Sequence, residues 1–100
     1  MHEENPLTIA DLLSHPTTFK ILLAMMDFEQ VYQFQLTMLT GAHRATLVHA
    51  IRLLTKANLI KVVEPKVRVK NAGEFYALTP HGAHFANHLK VLAKSLENAK

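Results

Sequence analysis

Leu39-Thr40-Gly41-Ala42-His43-Arg44-Ala45-Thr46-Leu47-Val48-His49-Ala50-Ile51-Arg52-Leu53-Leu54-Thr55-Lys56-Ala57-Asn58-Leu59-Ile60 is the stretch on which the reading of this chain turns. Leu47, Ile51 and Leu54 recur at i, i+4 and i+7, which draws one apolar stripe along a helix over about 43–56. Its other face carries Arg44, Val48, His49, Arg52 and Lys56. Gly41 stands just before it. A glycine there takes positive φ at no steric cost and so ends a preceding helix. That helix is expected over about 34–40, with Leu36 and Leu39 spaced for burial. Asn58 tolerates the left-handed region and closes the long helix. From Leu59 the period changes: Leu59-Ile60-Lys61-Val62-Val63-Glu64 is rich in β-formers, and Pro65 ends the strand.

Upstream, Thr8 to Leu13 reads as a short first helix with Leu7 as staple and Thr8 as cap. His15-Pro16 breaks it, and Pro16 suits the first turn of a second helix filled by Phe19, Ile21, Leu22, Leu23, Met25 and Met26. Asp27 to Glu29 form a polar break, and Val31-Tyr32-Gln33 a short extended piece. Downstream, Lys66-Val67-Arg68-Val69-Lys70 alternates between basic and β-branched residues, Asn71-Ala72-Gly73 is turn material, and Glu74 to Leu78 reads as the returning strand. Thr79 caps a last helix with Pro80 at its first position, running to about residue 98. The expected class is mainly α with a small β-hairpin (α+β). Two helices around a tight glycine turn, followed by a basic hairpin, make a winged helix-turn-helix. The whole chain, 1–100, reads as one domain, with a core over about 14–79 and a C-terminal helix over about 80–98.

Charge is distributed unevenly along the chain. Residues 1–40 carry Lys20 against Glu3, Glu4, Asp11, Asp27 and Glu29. Residues 41–72 carry Arg44, Arg52, Lys56, Lys61, Lys66, Arg68 and Lys70 against Glu64 alone. The net charge of +3 therefore understates a cationic middle third. Such asymmetry points to a polyanionic partner, the plainer alternative being a solvated surface. There are no cysteines, which excludes disulfide scaffolds, thiolate metal sites and cysteine nucleophiles. The stretch Met1-His2-Glu3-Glu4-Asn5-Pro6 lacks the basic start and apolar run of a secretory leader. The apolar cluster Ile21 to Met26 is far shorter than the roughly 20 residues that span a bilayer. The expectation is a cytoplasmic protein with no membrane partner.

Three of these segments resemble the MarR-, ArsR- and PadR-like winged-helix regulators. The run 39–60 is similar to their turn, recognition helix and exit strand. In it, Leu54-Thr55-Lys56-Ala57-Asn58-Leu59-Ile60 matches their helix end, with Asn58 in place of the usual glycine. Phe75-Tyr76-Ala77-Leu78-Thr79-Pro80-His81-Gly82 resembles their second wing strand running into Leu-Thr-x-x-Gly. Ser14-His15-Pro16-Thr17-Thr18-Phe19-Lys20-Ile21-Leu22 is similar to the start of their first core helix. The resemblance covers roughly 14–90. It is specific to the fold through the mutual spacing of the three motifs, which the subfamilies share. It implies a double-stranded DNA-binding transcriptional regulator that keeps the DNA-binding core plus one terminal helix.

In a helix-turn-helix the second helix enters the major groove. His43, Arg44, Ala45, Thr46, Val48, His49, Arg52 and Lys56 are then the candidate contacts. Arg44 suits guanine, since a guanidinium donates two bonds to O6 and N7. Ala45 and Val48 suit close approach to a thymine methyl, while His49 suits a base or phosphate. Arg52 and Lys56 suit phosphates, as does Thr46, whose hydroxyl has a local backbone bond as its alternative. In a strand, Lys66, Arg68 and Lys70 would share one side, to follow phosphates or enter the minor groove, with Val67 and Val69 turned to the body. Protection of a strand edge is the alternative use of those lysines.

Phe85, Leu89, Leu92 and Leu96 step by 4, 3 and 4, a coiled-coil spacing, so the last helix is expected to pair with its twin in a homodimer. Packing onto its own domain is the competing use. His81, His84 and His88 lie near one helical face, where histidine pairs bind zinc or nickel, yet no cysteine or acidic residue completes a set. The block is read as three polar positions bordering the dimer seam, with no metal and no cofactor. A metal-responsive ArsR-like sensor and a protein-interaction winged helix in a larger complex are the alternatives, and the effector, small molecule or metal, is left open. No phosphate loop, Ser/His/Asp grouping or paired carboxylate motif points to an enzyme.

Overall fold

The computed structural model describes residues 14–98. The helix expected over Thr8 to Leu13 lies outside the described residues. The elements are α1 (Pro16–Met25), β1 (Val31–Tyr32), α2 (Gln33–Thr40), α3 (Arg44–Lys56), β2 (Ile60–Val63), β3 (Phe75–Leu78) and α4 (Pro80–Asn98). This is an α+β winged helix, as the sequence implies.

Each boundary has a local cause. Pro16 opens α1, where its missing N–H costs no helical bond. The Gln35 side chain accepts the Tyr32 N–H at 3.3 Å, satisfying a donor at the start of α2. Gly41 ends α2 at φ 73°, and its N–H returns to the Thr37 carbonyl at 2.8 Å. Asn58 takes φ 63°, in the left-handed region expected of it. Thr79 ties three elements together. Its N–H donates to the Leu59 carbonyl at 3.0 Å and its hydroxyl to the Asn58 carbonyl at 2.7 Å. The same hydroxyl accepts the Gly82 N–H at 2.9 Å, capping α4.

The core is made by Ile21, Leu22 and Met25 of α1, Val31, Leu36 of α2, and Leu47, Ala50, Ile51 and Leu54 of α3. Leu59, Ile60, Tyr76 and Ala86 complete it. Leu47, Ile51 and Leu54 are buried as their spacing requires. Leu39, expected inside, is 45% exposed. The helix α2 is only eight residues long, and Leu39 falls in its last turn, beside the exposed Gly41.

The sheet has three antiparallel strands in the order β1-β3-β2, one more than a hairpin. Val31 pairs with Tyr76 and Tyr32 with Phe75 on one edge, while β2 runs from Ile60 opposite Leu78 to Val63 opposite Phe75. The ladder stops there. Residues 66–70 form no strand, contrary to the alternation of their sequence. Pro65 has no N–H to give, and among the described residues no strand pairs with 66–70; the Lys66 N–H goes to the Gln30 side chain instead. Asn71 and Gly73 then turn the chain back, both at positive φ. Val67 is 68% exposed and so does not face the body, and only Val69 is half-buried. The wing is a loop, so Lys66, Arg68 and Lys70 do not share one side of a strand as their alternation suggests.

Candidate nucleic-acid interface

The stripe of Leu47, Ala50, Ile51 and Leu54 fixes the rotation of α3. At 3.6 residues per turn, Ala45, His49, Arg52 and Lys56 then lie on the opposite side, and all four are exposed. His43 caps the helix start in extended geometry, and its carbonyl accepts the Leu47 N–H at 2.9 Å. Arg44 and Thr46 are exposed in the first turn. Val48 is half-buried on the flank toward the sheet. There it lines a cleft of about 470 Å³ with Arg52, Lys56, Val62, Glu74 and Tyr76.

A second cleft, of about 290 Å³, is lined by Arg44, by Gln33, Phe34 and Thr37 of α2, and by Asn71 and Ala72 at the end of the wing loop. The first turn of α3 and the wing therefore border one depression. Of the cationic groups Arg44 lines it, while the wing contributes Asn71 and Ala72.

The wing is held by contacts that no sequence pattern announces. Gln30 Nε2 donates to the Glu64 carbonyl at 2.7 Å, and the Lys66 N–H donates to Gln30 Oε1 at 2.9 Å. The Lys66 ammonium pairs with the Glu29 carboxylate. Lys66 thus has a carboxylate partner on the body, while Arg68 and Lys70 are exposed. Under the sheet flank, Tyr76 donates its hydroxyl proton to Glu74 Oε1 at 3.0 Å. Burial first, then the Glu74 hydrogen bond and charge, push its phenol up to about 12.

On α4, Phe85 and Leu89 pack against the core of their own chain, whereas Leu92 and Leu96 are 60% and 73% exposed. The rings of His84 and His88 meet edge to face at 4.6 Å, with His88 Nδ1 3.0 Å from the His84 carbonyl oxygen. Among the described residues, no three His, Cys, Asp or Glu side chains gather closely enough to hold a metal ion. Sequence reasoning also missed His15, whose ring stands 5.0 Å from that of His49. Among the described residues, no helix is long and apolar enough to cross a membrane.

No family model matches the chain, and no curated protein matches it in sequence. Solved structures do match its fold. A MarR family transcriptional regulator from Silicibacter pomeroyi superposes with a TM-score of 0.71 at 15% identity, over 90% of this chain and 64% of that one. Staphylococcus aureus MarR, solved with salicylate and kanamycin, gives 0.70 at 18% identity over 88% of this chain and 59% of that one. A transcriptional regulator homologue from Pyrococcus horikoshii gives 0.68 at 18% identity, over 88% and 86%. The chain thus spans 64% and 59% of the length of the first two. Helix order, strand order and glycine turn converge with these superpositions: the chain has the winged helix-turn-helix fold of the MarR-family transcriptional regulators.

Proposed function

We propose that this chain binds double-stranded DNA as a homodimer and regulates transcription. In this reading α3 enters the major groove and the wing loop lies on the backbone or in the minor groove. One observation carries it. Arg44, His49, Arg52 and Lys56 are all exposed on α3, and the depression beside Arg44 is bordered by the wing, whose Arg68 and Lys70 are exposed too. His43, Ala45 and Thr46 lie at the leading end, where a recognition helix meets base edges, and Val48 lines the flank. Arg44 reads a guanine, while Arg52, Lys56, Arg68 and Lys70 hold phosphates, with Lys66 less available because Glu29 neutralises it. Leu92 and Leu96 extend the seam that joins two copies, so that two α3 helices meet half-sites about 34 Å apart.

Selection from random duplex DNA, followed by binding at two salt concentrations, tests this. The expected result is an enriched palindrome bound more weakly as salt rises, because displaced counterions return to the phosphates. Arg44→Ala is expected to cost about 1–3 kcal/mol and to relax preference at one base pair per half-site. A chain that enriches no sequence and binds no duplex at low salt overturns the reading.

A further inference from the structure

On α4 the histidines and the fixed charges lie on different sides. At 3.6 residues per turn, His81, His84, His88, Val91, Leu92 and Ser95 fall within an arc of about 100°. All six are exposed. Lys90, Lys94 and Glu97 fall outside that arc, with Glu97 nearly opposite its middle. One side of the helix, about 21 Å long, thus runs from three imidazoles to the exposed apolar pair Val91 and Leu92 without a permanent charge.

The rings of His84 and His88 have centres 4.6 Å apart and are inclined by 64°. His88 Nδ1 stands 3.0 Å from the His84 carbonyl oxygen, which can only accept, so Nδ1–H donates there and Nε2 is left to take a proton. Nothing packed nearby offsets a charge gained on this side. The elements packed against α4 are α1 and β3. Lys20 is the charged residue of α1, and the buried Tyr76 is the titratable residue of β3. Glu74, just before β3, lines the cleft against α3 instead. Neither α1 nor β3 carries a carboxylate, and α4 has its own only at Glu97, on the far side.

We propose that this side of α4 meets the same side of a second copy, and that protonation of His81, His84 and His88 opens the contact, so that the homodimer dissociates as pH falls. The inference rests on the homodimer proposed above and names what regulates it. A side without fixed charge suits its own copy, because a two-fold axis sets like against like. Imidazole changes its charge between about pH 5 and 8. Neutral imidazoles pack as polar rings beside Val91 and Leu92. Protonated ones bring up to three positive charges per copy to the seam, faced by as many on the twin and by no carboxylate of α1, β3 or this side of α4. The free chain then binds more protons than the paired one, and acid favours the free chain.

Sedimentation of the full chain without DNA, at about pH 8 and about pH 5.5, reads the dimer alone, so the histidines of α3 do not enter through a duplex. The dissociation constant is expected to rise by about tenfold or more at the lower pH, roughly the effect of a single proton kept out of the seam. Circular dichroism should be the same at both values, so that dissociation and not unfolding is read. The chain carrying His81→Gln, His84→Gln and His88→Gln together should dimerise equally well at both, while His15→Gln should leave the dependence as it is. A wild-type dimer equally tight at both values, or a triple variant that still dissociates in acid, overturns the switch while the dimer stands. A wild-type chain that is monomeric at both removes the dimer from the proposed function and the switch with it.

Discussion

Gly82 shows how one residue sets the packing of a whole helix. It lies in the first turn of α4, where the helix crosses the exit from α3. A Cβ there would overlap the Leu59 carbonyl, whose carbon would be 2.7 Å away. That carbonyl already accepts the Thr79 N–H, so it has no freedom to move aside. Gly82→Ala, normally favourable inside a helix, is therefore expected to destabilise the fold by about 3 kcal/mol, read by denaturant melting. An unchanged midpoint would show that α4 and β2 do not approach this closely. Tyr76 makes a different statement at the same scale. Its folded phenol ionises at about 12, against about 10 in an unfolded chain. The folded state holds the proton more tightly, so this contribution to stability is complete below pH 10 and is lost as pH rises from 10 through 12. Ultraviolet absorbance titration of the phenol should give the late ionisation. Glu74→Gln should lower it only in part, because burial is the larger cause.

Among the elements, the wing departs most from what its residues suggest. An alternating run has the composition of a strand, but a strand exists only where a neighbour accepts its ladder bonds. Past the pair Val63–Phe75 the ladder does not continue among the described residues. The loop is instead fastened at its base by the side chain of Gln30, through one bond given and one received. Gln30→Ala is expected to free the Lys66 amide, raising its hydrogen exchange while amides of α3 keep theirs. The same variant should weaken duplex binding of every sequence alike, as befits a backbone contact. Unaltered exchange at Lys66 would show that the Glu29 ion pair alone holds the loop. The pair α2–α3 behaves otherwise, since its glycine turn, its stripe and its capping residues are all local and appear in the structure where the spacing puts them.

For the whole molecule the open matter is α4. Its first half belongs to the core through Ala86, with Phe85 and Leu89 packed beside it, and every described side chain beyond Lys90 is exposed. A 19-residue helix is about 28 Å long, so its distal half reaches past the body that anchors it. Val91, Leu92 and Leu96 give that half an apolar surface. Replacing both Leu92 and Leu96 by Lys is expected to convert a dimer to a monomer in sedimentation without lowering the melting temperature of the isolated fold. A wild-type chain that sediments as a monomer at micromolar concentration would remove the dimer from the proposed function.

The order of the four described helices and of β2 and β3, the turn at Gly41, the left-handed Asn58, the cap at Thr79 and the exposed cationic side of α3 were all readable from residues within a turn or two of one another. Periodicity and capping are local, and the composition of a segment records them. The third strand, the looped wing, the outward Leu39 and the meeting of His15 with His49 were settled only by folding. Each depends on which segments come to lie side by side, and partners more than thirty positions apart leave no period in the sequence.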